Sequence, residues 1–170
     1  MTERGQPRRP LITAVVAALP EELAGLLRKI PAARPLALPG LRCVYSGSLA
    51  GRALVLAVTG DGMARASAGV ERLLAAMPLE RLVVVGVAGG LSPDLGPGAL
   101  ITGREVLADG GPGRFRPSGE LLGAAVVAAG ARPVAMVTAS KLVVSRGEKA
   151  ALWQRAAPGQ SAAVDLESAT

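Results

Sequence analysis

The chain has no histidine, one cysteine and three aromatic side chains among its 170 residues: Tyr45, Phe115 and Trp153. The missing histidine excludes imidazole acid–base chemistry, Ser–His and Cys–His nucleophiles, and the common zinc sites. A single thiol, Cys43, excludes an internal disulfide framework and cysteine metal clusters. Acid–base work therefore falls to carboxylates, with Tyr45 and three lysines in reserve. No metal and no cofactor is expected. With so few rings, a core must be assembled from Ala, Val and Leu, and a half-hydrophobic chain of this length has enough of them for one domain.

Lysine is also scarce. Sixteen of the nineteen cations are Arg, and the formal net charge is +6. The cations are scattered, and the densest group, Arg4, Arg8 and Arg9, sits in a Pro-containing stretch read as a flexible leader over residues 1–10. A nucleic-acid footprint needs clustered cations with aromatic platforms, so no nucleic-acid partner is expected. No apolar run approaches the roughly 20 residues of a membrane span. Residues 11–19 follow Arg8-Arg9 like a short secretory core, but Pro20-Glu21-Glu22 opens an amphipathic helix directly after it, with no small-residue cleavage site. A cytoplasmic protein is the expectation.

Residues 11–170 read as one domain of alternating strands and helices. Strands are expected at 11–17, 41–49, 52–58, 81–87, 99–108, 133–139 and 162–166, with a hairpin at Ala50-Gly51. Helices are expected from Pro20 to about residue 30, over 63–76, 120–130 and 147–156, and in a first turn at 167–170. Residues 109–117 read as a Gly/Pro loop and 141–144 as a short extended piece. The four valines around Gly86 make 81–87 the cleanest buried-strand pattern of the set. This alternation is α/β, with a mixed, largely parallel central sheet, and ligands in such sheets sit beyond the carboxyl ends of strands.

Three features lie at such ends: Glu21-Glu22, the turn Thr59-Gly60-Asp61-Gly62, and Ala88-Gly89-Gly90. Asp165 and Glu167 close the last strand, two apart and so on one face. Each has an ordinary structural explanation. Acidic residues decorate helix N-termini, glycines make tight turns, and Asp61 reads equally as a turn aspartate facing solvent. A dinucleotide fingerprint fails, because Arg65 stands where its third glycine belongs, and there is no Walker A lysine pattern.

Taken in order, four segments resemble the nucleoside phosphorylase superfamily, nearest to its hydrolytic branch of 5′-methylthioadenosine/S-adenosylhomocysteine nucleosidases and hopanoid-associated phosphorylase-like proteins. They are Ala18-Leu19-Pro20-Glu21-Glu22-Leu23, the Thr59 to Gly62 turn, Gly86-Val87-Ala88-Gly89-Gly90-Leu91-Ser92-Pro93-Asp94-Leu95, and Ala163-Val164-Asp165-Leu166-Glu167-Ser168-Ala169. The resemblance implies a three-layer phosphorylase/hydrolase-like fold, a homodimer and a small-molecule nucleoside substrate. It makes Glu22 the catalytic carboxylate that orients or deprotonates water, with Thr59, Gly60 and Asp61 as the glycine turn beside it. Glu167 becomes the acceptor for the ribose hydroxyls and Leu166 the apolar floor under the sugar. Leu142, Val143, Ala88 and Gly89 take the positions around the base.

The chain departs from the pattern at several of these places. Leu142 stands where the family stacks an aromatic, and Asp61 where nucleosidases carry an apolar residue. Val84 replaces the phosphorylase arginine and Val87 a polar neighbour, which favours hydrolysis over phosphorolysis. The family's general-acid aspartate lies in a later strand and helix, so the resemblance also implies an incomplete C-terminus and weakened turnover. A non-catalytic nucleoside-binding remnant, or a phosphorylase using phosphate, are the alternatives.

Overall fold

Val15 and Val16 lie in strand β1 (Ile12–Ala17), whose last four residues are buried, as an apolar run inside a paired sheet requires. The computed structural model describes residues 12–111 and 113–169. The leader expected at 1–10, with Leu11, Pro112 and Thr170, lies outside them.

The elements follow in alternation: α1 (Pro20–Leu27), β2 (Arg34–Pro35), β3 (Arg42–Leu49), β4 (Arg52–Val58), α2 (Met63–Ala76), β5 (Leu79–Val84), β6 (Gly89–Gly90), β7 (Ile101–Ala108), β8 (Arg114–Phe115), α3 (Gly119–Ala129), β9 (Arg132–Thr138), α4 (Arg146–Ala156) and β10 (Ala162–Asp165). The α/β class stands. The long pairings of β1 with β4 and β5, and of β9 with β7 and β10, are parallel. Antiparallel pairs complete two five-stranded sheets, ordered β2-β3-β4-β1-β5 and β6-β10-β9-β7-β8. Contacts group the chain into two compact units, one up to Gly60 with Ala68–Gly86, the other Asp61–Ser67 with Val87 onward.

The first unit holds the first sheet. Ala50 and Gly51 both have positive φ, 51° and 76°, the pattern of the two-residue turn that matches strand twist. Ala50 takes that conformation without the tolerance of Asn or Gly. Val15, Ala17, Leu23, Ile30 and Leu56 form one core cluster, and Val16, Val44, Val55, Ala57 and Leu73 another. The second unit buries Leu91, Leu107, Ala135, Val137, Ala139, Leu152, Ala157, Ala162 and Val164 together. The buried hydrophobic side chains among the described residues are Ala, Val, Leu and Ile, the ring-poor core the composition predicts.

Several local expectations change. β5 ends at Val84 rather than 87, and it is the outer strand of its sheet, so Val84 is 49% exposed instead of deeply buried. Residues 141–144 form no strand, and 167–169 form a bend and a turn rather than a helix. The two-residue strands β2, β6 and β8 were not anticipated, because two residues carry no periodicity.

Candidate active site

Glu22 is the third residue of α1. Pro20 opens that helix, where its fixed φ and missing N–H cost nothing. Leu19 precedes it in an extended conformation, and its N–H donates to Glu22 Oε2 at 3.0 Å. That is half of a capping box, since Leu19 has no side-chain acceptor to return the bond. Glu21 is exposed. The dipole explanation for the acidic pair thus holds for its position, while Glu22 alone is turned into the structure. Its Oε1 lies 2.8 Å from where a Cβ on Gly86 would stand. In the same unit, Thr59 is anchored to the end of β1: its N–H and its hydroxyl both donate to the Ala17 carbonyl, at 2.9 and 3.2 Å. A Cβ on Gly69 would meet Thr59 Cβ at 2.8 Å, so α2 crosses this strand end where it has no side chain. Gly60 has φ +98°, which explains the glycine there.

In the second unit, Asp61 pairs with Arg65 one helical turn on, both well exposed. The solvent-facing reading of Asp61 accounts for it. Gly62, with φ +82°, donates its N–H to Glu167 Oε1 at 2.8 Å. The Leu166 N–H donates to Glu167 Oε2 at 3.2 Å. Two motifs more than a hundred residues apart thus meet through one carboxylate. Asp165 does not share its face: its Oδ1 accepts from Thr138 Oγ1 at 2.7 Å, and its Oδ2 from the Ser168 N–H at 3.2 Å and the Ser168 hydroxyl. The strand ends at Asp165, so the two-residue alternation does not reach Glu167.

Leu166 and Val143 both pack, half-buried, against the core cluster of this unit, whereas Leu142 is 69% exposed. Gly89 pairs with Val164 in β6. Ala88 lines a cleft of about 260 Å³ with Gly90, the 95–99 segment, Ile101, Ala163 and Lys149. Lys149 Nζ comes within 3.8 Å of the Gly89 Cβ position. No motif in the sequence singles out this lysine, and its place on α4 makes it a neighbour of Gly89. The segment after Gly90 is clamped: Asp94 Oδ2 accepts from Ser161 Oγ and Arg132 Nη2, each at 2.5 Å. Hydrogen bonds from Ser161 and Ser92, then Arg132, hold the Asp94 carboxyl at about 2, below its ordinary 3.8. Among the described residues no group of three or more His, Cys, Asp or Glu converges on a metal-sized site, and no helix is long and apolar enough to cross a membrane.

Comparison with known proteins gives these residues a context. Residues 12–156 match a family model described as the Phosphorylase superfamily. The chain is 34% identical over 97 residues to a 5′-methylthioadenosine/S-adenosylhomocysteine nucleosidase of Baumannia cicadellinicola subsp. Homalodisca coagulata, a match covering 56% of this chain and 42% of that relative. The matched region thus spans less than half of the relative's length. In fold, the chain is similar to the nucleosidase of the same name from Neisseria meningitidis in complex with methylthio-immucillin-A, with a TM-score of 0.84 at 23% identity over 93% of this chain and 76% of that one. It is equally similar to a futalosine hydrolase mutant of Helicobacter pylori, with a TM-score of 0.84 at 18% identity over 94% and 76%.

Proposed function

The chain belongs to the phosphorylase superfamily, and we propose that within it the protein is a purine-nucleoside N-glycosidase, hydrolysing a 5′-modified adenosine. Water attacks the anomeric carbon as the bond to the purine nitrogen breaks. Glu22 takes the proton from that water, the sugar keeps the hydroxyl, and the purine leaves with the bonding pair and takes a proton from solvent water. Glu167 accepts hydrogen bonds from the ribose hydroxyls, and its negative charge becomes more favourable as positive charge develops on the ring. Leu166 floors the sugar. Leu142, Val143, Ala88 and Gly89 flank the base, with Thr59, Gly60 and Asp61 forming the turn beside the water.

The observation that carries this reading is the Gly62 N–H donated to Glu167 Oε1 at 2.8 Å. It ties the glycine turn and the ribose motif together through the carboxylate that the motif exists to present. Val84 and Val87 supply no charge for a phosphate dianion, which supports hydrolysis over phosphorolysis. The reading extends to a cytoplasmic homodimer without cofactor. Helix α3 supports the dimer, because it is apolar, buries none of its residues and leaves Val127 86% exposed, whereas an all-round apolar helix is normally covered.

The test is adenine release from methylthioadenosine and from S-adenosylhomocysteine, in phosphate and in phosphate-free buffer. Release independent of phosphate, lowered by roughly 10²–10⁴-fold in Glu22→Gln, is the expected outcome. Release that needs phosphate points to phosphorolysis. No release, with saturable nucleoside binding lost in Glu167→Ala, points to a binding protein without turnover.

A further inference from the structure

Gly86 stands at the end of the first unit, two residues beyond β5, and nothing in its backbone explains why it is glycine. It is absent from the positive-φ glycines, so no left-handed φ calls for glycine there. What a side chain would meet first there is a single group. The three heavy atoms nearest to a Cβ built on Gly86 all belong to the Glu22 carboxyl end: Oε1 at 2.8 Å, Cδ at 3.3 Å and Oε2 at 3.6 Å. We infer that Gly86 is a positioning residue for Glu22, and that its missing side chain is the space in which the carboxylate is held.

A methyl group at 86 forces one of the two to move. The backbone is pinned just before it, since the Val85 N–H donates to the Val16 carbonyl at 2.9 Å. The carboxylate is the end of a flexible side chain, so it is the part that yields. When it swings away, the Leu19 N–H, now 3.0 Å from Oε2, loses its acceptor. The fold is untouched while the carboxylate leaves its place. The catalytic consequence rests on the reading of Glu22 given above, and the geometric one does not.

Gly86→Ala is expected to lower kcat roughly 100-fold, the scale of an ångström-sized misplacement of a reacting group, while KM stays within about threefold, because the ribose acceptor Glu167 is unaltered. The discriminating measurement is a double-mutant cycle with Glu22→Asp, whose carboxylate is drawn back by about one carbon–carbon bond, about 1.5 Å, and clears the new methyl. In that background Gly86→Ala should cost less than about threefold. A Gly86→Ala enzyme with wild-type kcat, or one that loses the same factor in both backgrounds, overturns the inference.

A second readout needs no turnover. With glutamate ¹³C-labelled at its carboxyl carbon and the Glu22 resonance assigned by its loss in Glu22→Gln, Gly86→Ala should shift that resonance and the Leu19 amide. Amides elsewhere in the first sheet should keep their positions. If the wild-type chain releases no base, the functional reading fails, and the placement of Glu22 by Gly86 still stands or falls on these two resonances.

Discussion

Asp94 lies in the segment that follows the central glycine block, and three donors converge on it. Two of them, Ser161 and Arg132, come from the second sheet's own neighbourhood, and the folded carboxyl is held at about 2 against 3.8 for the unperturbed group. A depressed folded pKa means that between these values the unfolded chain binds the proton more readily. Asp94 therefore contributes stability that is complete above about pH 4 and lost as the pH falls through about 2. Asp94→Asn should lower the thermal midpoint at pH 7, and the gap to wild type should close in melts taken stepwise between pH 4 and pH 2. A gap that persists undiminished at pH 2 contradicts the assignment. Residue identity and rough place were readable here, since Asp94 belongs to a block recognisable in the sequence. Its partners were not, because Arg132 and Ser161 are 38 and 67 positions away. The same holds for Glu167, whose type follows from its motif, while its bond to Gly62 spans 105 positions.

At the scale of elements, local chemistry decided most boundaries. Helix α4 begins at Ser145, whose hydroxyl accepts the Glu148 N–H at 3.1 Å while Glu148 Oε2 accepts the Ser145 N–H at 3.1 Å. This is a complete capping box, in contrast to the one-sided box of α1. Backbone and side-chain hydrogen bonds from Ser145 lower the Glu148 pKa. Ser145→Ala should destabilise the protein by about 1 kcal/mol, a value typical of lost N-caps and measurable by denaturant titration. Helix α3 shows the same logic with Ser118 before it and Gly130 after it, the latter at φ 65°. These signals are short-range, and the expected bounds of α2, α3 and α4 lie within a residue of the observed ones. Strand β5 shows where such signals stop. Its valines predict burial, yet its burial depends on what lies beyond its free edge, a property of sheet order rather than of the strand.

At the scale of the molecule, the scarcity of rings has an energetic consequence. Among the described residues, each buried hydrophobic position carries a small or medium aliphatic group, so no single aromatic dominates either unit. Leu152 is the buried residue of α4 and joins the second unit's core at 2% exposure. Leu152→Ala should cost about 2–5 kcal/mol, a large share of the roughly 5–15 kcal/mol that holds such a chain folded. Trp153 reports on it directly, because its indole N–H donates to the Gln160 carbonyl at 2.8 Å beside the same cluster, and its emission should follow the denaturant transition to lower midpoint.

The sequence by itself determined the α/β class, the helix caps, the hairpin at Ala50-Gly51, the aliphatic core and the exclusion of imidazole chemistry. All of these depend on residue type, periodicity or contacts a few positions apart. Tertiary structure alone decided that the strands sort into two five-stranded sheets, that Asp165 and Glu167 face different partners, and that Gly86 is glycine on account of Glu22. Those facts turn on which distant segments approach each other, and a chain records such approaches only in pairs of residues whose separation has no fixed period.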